Sequence, residues 1–188
     1  MALRNTMYRW GWVSQTLHWL IVALVVVQVT LWLLFDDLPP GMRKLTLIAR
    51  HKSFGITILG LAIVRLLWRW LNPTPELPPT LRPYERNLAR FTHALLYLLL
   101  FAMPLSGWTM SSARGFPVSW FGLVQLPDLV PKNKPLYAAL LTTHGVLACA
   151  LAAVVTLHVL AALKHHFVLR DDVLRRMLPF SASTRGPP

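Results

Sequence analysis

Acidic side chains are scarce in this sequence: seven Asp and Glu stand against nineteen Lys and Arg, a formal charge of +12 at pH 7. Charged residues of both signs make up only 14% of the chain, which excludes an ordinary soluble domain. Cysteine is nearly absent too. The single Cys149 rules out an intrachain disulfide and, in mid-span, reads as a small apolar filler. No internal repeat or low-complexity tract is evident. What is present is apolar: 55% of the 188 residues are hydrophobic, with a mean hydropathy of +0.49. The basic charges flank apolar runs, so they point to anionic lipid and membrane orientation rather than to nucleic acid.

Four windows are long enough to cross a bilayer, which takes about 20 residues. They lie near 12–35, 51–71, 88–110 and 136–163, and use nearly the whole of one domain, 1–188. The expected fold is all-α, a transmembrane four-helix up-down bundle. Arg4 and Arg9 precede the first span as in a signal peptide, but DDLPP follows it instead of a cleavage site, so it is expected to stay as an anchor. Between spans 3 and 4, FPVSWFGLVQL is aromatic and partly amphipathic and is expected to rest in the membrane interface. Tryptophans 10, 12, 19, 68, 70, 108 and 120 cluster near span ends, as in an aromatic belt. Pro104 is expected to kink span 3.

With four spans both termini share one side. That side carries twelve basic residues, among them Arg4, Arg9, Arg65, Arg69 and Arg185, against seven on the other, so the positive-inside rule places both termini in the cytoplasm.

The chemistry lies in the histidines. His144 and His158 are fourteen residues apart in THGVLACALAAVVTLH. At about 100° and 1.5 Å per residue they fall within roughly 40° of one face and about 21 Å apart along the axis. Up-down topology then pairs His18 with His158 at the cytoplasmic level and His51 with His144 at the outer level. Two imidazoles at each level fit two haem irons, His18, His51, His144 and His158 being the axial ligands. The alternatives are polar residues tolerated near helix ends, or a zinc or copper site, for which Cys, Asp and Glu are missing nearby.

His93 shares the cytoplasmic level and rivals His18 and His158 as a ligand. Its helix offers Gly107 fourteen residues on, where an outer partner would stand, so His93 is assigned to a propionate or quinone contact. Arg65, fourteen after His51, and Lys52 are candidate haem propionate partners; the other readings are a snorkelling arginine and an orientation charge. His165 follows His158 by seven residues on the same face, so His165 or His166 is a candidate proton relay to a quinone, unless both belong to a solvated basic helix end. Gly55 and Gly145 would let a flat macrocycle approach the backbone; ordinary close packing is the other account.

On LHWLIVAL, RHKSFGITILGLAIVRLLWRWLNPTP, FTHALLYLLLFAMPLSGW and ALKHHFVLRDDVLRRML, the chain resembles the bacterial cytochrome b561 family along nearly its full length. It is more distantly similar to the haem-bearing membrane subunits of nickel hydrogenases and formate dehydrogenases. The resemblance implies a bacterial inner membrane cytochrome with two haem b groups, passing electrons to a ubiquinone pool. One stand-alone family member is described as oxidising superoxide at the outer face. The outer segments carry seven basic against three acidic residues, Asp36, Asp37 and Asp128, a bias that suits superoxide or an acidic redox protein as the periplasmic electron donor. The competing functions are a membrane anchor subunit of a larger dehydrogenase and a histidine-lined metal or ion transporter.

Overall fold

The computed structural model describes residues 3–77 and 81–179, so Arg185 and the prolines at 78 and 79 lie outside it. Four helices cross: α1 (Trp12–Asp36), α2 (Met42–Trp70), α3 (Pro83–Arg114) and α4 (Lys134–Leu163). All four are long and apolar enough to span a bilayer. Apolar surroundings offer backbone groups no water, so a run of Leu, Val and Ala without breakers closes its hydrogen bonds internally as helix. Neighbours in sequence are neighbours in space, α1 on α2, α2 on α3 and α3 on α4.

Two helices run well beyond their apolar windows. Helix α2 begins nine residues before His51, and α3 begins at Pro83. Hydropathy finds only the part that lipid demands, whereas MRKLTLIAR and PYERNLA are polar helix that emerges into the interface. Proline suits the first turn of α3, and Glu85 accepts from the Arg82 N–H at 3.1 Å. Gly115, at φ 81°, closes its far end in the left-handed region that glycine tolerates. Helix α4 starts on Asn133, whose Oδ1 accepts from Leu136 N–H at 2.9 Å. Lys44 donates to the carbonyls of Asp36 and Leu38, at 3.1 and 2.8 Å, and so caps the end of α1.

The aromatic segment between α3 and α4, expected to rest in the interface, has a secondary structure of its own. It folds as a two-stranded antiparallel hairpin, β1 (Ser119–Trp120) and β2 (Val124–Gln125), docked on α2. Ser53, almost fully buried, accepts from Phe121 N–H at 3.0 Å and lies 3.0 Å from the Ser119 carbonyl. Trp120 Nε1 donates to Thr57 at 3.1 Å, and Trp108 Nε1 to the Pro127 carbonyl at 3.1 Å. These indoles brace the fold as well as marking its interface.

At the opposite end, three separated stretches are tied together. Gln15 and Trp19 of α1 donate to the carbonyls of Arg176 and Met177, both at 2.9 Å. Arg176 reaches the Glu76 carbonyl at 3.0 Å, and Asn5 the Pro73 carbonyl at 3.0 Å. After Leu163 the helix widens into a π turn, Lys164–Val168, and the chain reverses at Arg170 with φ 52°. His165 thus sits in a π-helical extension of α4, wider than the regular helix assumed for its spacing from His158. The two ends are called here the terminal end and the hairpin end. Exposed side chains along the helices are largely Leu, Val, Ile and Trp, while the buried set includes Ser14, Gln15, Ser53, Ser111 and Ser112, the distribution lipid favours. Cys149 is exposed in mid-helix on α4.

Candidate haem sites

The histidines gather at two depths. At the terminal end the ring centres of His18 and His158 are 6.3 Å apart, and those of His93 and His158 are 5.5 Å apart. Arg65 acts electrostatically on all three rings. Its Nε donates to the Tyr97 hydroxyl at 3.3 Å, and Arg69 lies over the Tyr97 ring at 5.8 Å. Tyr97 went unnoticed in the sequence although it stands one helical turn after His93, on the same face.

At the hairpin end His51 and His144 interact electrostatically across the bundle. The His51 ring meets Phe35 edge-on at 5.5 Å, and its backbone carbonyl accepts from Gln28 Nε2 at 3.0 Å. Gln28 is the one amide within VVVQVTLWLL, a signal that could have marked it. His144 Nδ1 is 2.9 Å from Ser106 Oγ. Its Cε1 would lie 3.1 Å from a Cβ at Gly107, so α3 receives the imidazole because glycine stands there. A Cβ at Gly145 would meet nothing within 4 Å, and one at Gly55 would meet only the Gln28 amide nitrogen, at 3.1 Å.

Lys52 sits beside His51 but donates to Ser111 Oγ at 2.9 Å and to the Phe116 carbonyl at 3.4 Å, tying α2 to the end of α3. Ser111 in turn donates to Phe116. Arg114 and Lys132 flank this corner. At the terminal end, His165 Nδ1 and Asp171 Oδ2 are 2.5 Å apart. Next to them is an open cleft lined by His166, Phe167, Arg170, Asp171 and Arg175. Asp171 was not singled out in the sequence, because the chain reversal that brings it back could not be read there.

Four membrane helices carrying imidazoles at two depths define a multi-pass membrane cytochrome. The profile of the family described as prokaryotic cytochrome b561 matches residues 9–180. "Cytochrome b561 homolog 2" of Escherichia coli (strain K12) is 35% identical over 192 residues, covering 99% of this chain and 100% of the relative. "Probable superoxide oxidase CybB" of Yersinia pestis is 36% identical over 167 residues, 87% of this chain and 92% of the relative. "Cytochrome b561 homolog 1" of Escherichia coli (strain K12) is 27% identical over 164 residues, 87% and 93%. The chain belongs to the prokaryotic cytochrome b561 family and is a membrane haem protein.

The residues present fit haem b. Imidazoles are donors that haem iron accepts, and at the terminal level both His18, at 6.3 Å, and His93, at 5.5 Å, stand beside His158. His51 Nδ1 is buried without a hydrogen-bond partner among the described residues, and the ring interacts with the Gln28 backbone. Among the described residues no group of three or more His, Cys, Asp or Glu is arranged to hold a bare metal ion.

Proposed function

We propose that the protein holds two b haems and moves electrons between superoxide at its hairpin face and ubiquinone at its terminal face. In this reading the terminal face is cytoplasmic and the membrane is the bacterial inner membrane. His18 and His158 hold one haem, and His51 and His144 the other. His93 is the third imidazole of the terminal level, a contact rather than a ligand, and Arg65 is the cation offered to propionates there. The observation that carries the reading is the gathering of imidazoles at two depths of α4, fourteen residues apart. Each haem would supply a one-electron ferric–ferrous couple with no open position on the iron.

The chain's own groups account for the rest. Lys52, Arg114 and Lys132 edge the hairpin face with positive charge, which favours the approach of an anion. The His165–Asp171 pair stands beside the cleft of His166, Phe167, Arg170 and Arg175, where a quinone head could take its protons. In the balanced reaction two superoxide anions become two dioxygen molecules, and ubiquinone takes two electrons and two protons to become ubiquinol. The name of the Yersinia pestis relative supports this direction.

The test is a reduced-minus-oxidised spectrum of the detergent-purified protein with haem counted per chain, followed by superoxide consumption with and without ubiquinone. Two haems and quinone-dependent consumption are expected. One haem or none would sink the two-site assignment, and consumption indifferent to quinone would remove ubiquinone as the acceptor.

A further inference from the structure

We propose that Ser106 fixes the tautomer of His144, so that this imidazole presents a bare Nε2 to the hairpin-level iron; the proposal rests on the two-haem reading above. Ser106 Oγ has two neighbours: the Met103 carbonyl at 2.8 Å and His144 Nδ1 at 2.9 Å. A hydroxyl carries a single proton, and a carbonyl can only accept. The serine proton therefore goes to Met103, leaving an Oγ lone pair facing His144. Two acceptors do not bond each other, so Nδ1 must carry the ring proton and donate it to Ser106, with the Met103 carbonyl also close to the ring as a weaker acceptor. A neutral imidazole has only one N–H, and Nε2 is then the free base that binds metal.

Gly107 completes the arrangement. A Cβ built there would lie 3.1 Å from Cε1 but 3.9 Å from Nε2, so α3 closes on the edge of the ring nearer Nδ1. Ser106 and Gly107 thus supply the hydrogen bond and the fit that orient one ligand. His51 has no hydroxyl partner, its Nδ1 standing unpaired among the described residues while its ring interacts with the Gln28 backbone. A ligating imidazole whose N–H is accepted is the stronger base, and such outer partners commonly change metal affinity by about 10–100-fold when removed. Stronger donation favours ferric iron, so loss of the acceptor should raise the midpoint of this haem alone.

The experiment compares Ser106→Thr with Ser106→Val in the haem-loaded protein, two side chains alike in shape that differ in the hydroxyl; Ser106→Ala is the third variant. Redox titration and the g-value spread of the low-spin ferric signal are read for both haems. We expect Val and Ala to raise one midpoint, by about 59 mV for a tenfold change in ferric–ferrous preference, with the other midpoint fixed and Thr close to the native protein. Loss of one haem in Val and Ala but not in Thr would support the same role. Identical midpoints and spectra in Thr and Val, or equal movement of both haems, would overturn it while leaving two haems intact. Native protein without haem would instead remove the two-haem reading, and this proposal with it.

Discussion

Helix α3 treats its two ends differently. Toward the terminal end it contributes His93 and Tyr97, beside Arg65 and Arg69 of α2. Toward the hairpin end it contributes Ser106 and Gly107, the smallest hydroxyl and no side chain at all. On α3 one end offers His93 and a phenol beside two arginines of α2, the other a hydroxyl and space against His144. Electrostatics thus has its main lever on the terminal level, and fit its main lever on the hairpin level, although α4 contributes one histidine to each.

The largest expected effect separates the levels outright. His158→Ala and His144→Ala should each reduce two haems per chain to one, by removing different haems, and the double variant should carry none. At the terminal level His18→Ala should lose a haem and His93→Ala should keep both; the reverse result, by haem assay of purified protein, would exchange these two rings in the assignment.

A smaller effect tests the claim that fit governs the hairpin level. Gly107→Ala places a methyl against His144 and should cost about 1–3 kcal/mol as overpacking, read as a lower thermal midpoint and partial loss of one haem. Gly145→Ala meets nothing within 4 Å and should leave both readouts unchanged. Equal behaviour of the two variants would dissolve the contrast between the levels.

The smallest effects belong to charge. Arg65→Gln removes a cation near the terminal rings, which should lower the midpoint of that haem and spare the other, because positive charge near the iron favours its reduced form. Tyr97→Phe removes only the 3.3 Å hydrogen bond to Arg65, a contribution of about 0.5–1.5 kcal/mol, and should move the same midpoint less. A shift confined to the hairpin-level haem would contradict the electrostatic account.

The spans were legible because lipid selects apolar length, and the two levels because fourteen residues return a helix nearly to the same face. Helix ends were not, since Met42–Arg50 and Pro83–Ala89 are polar helix that hydropathy cannot separate from loop. Ser106 and Gly107 lie at the right depth, but a small residue carries no chemical signal until the ring it receives is placed. The hairpin on Ser53 and the return of Asp171 to His165 depend on tertiary contacts between distant stretches, so local pattern was silent on both. For Lys52 the position beside His51 was plain in the sequence, whereas its bond to Ser111 depends on how α2 meets the end of α3.

The ties from Gln15 and Trp19 to the carbonyls of Arg176 and Met177 join stretches 161 and 158 residues apart in sequence. Closing this end of the bundle therefore means closing a long loop of chain. His18 and His158 are held 6.3 Å apart by that same closure, so the terminal level is only as firm as a contact between two stretches far apart in sequence.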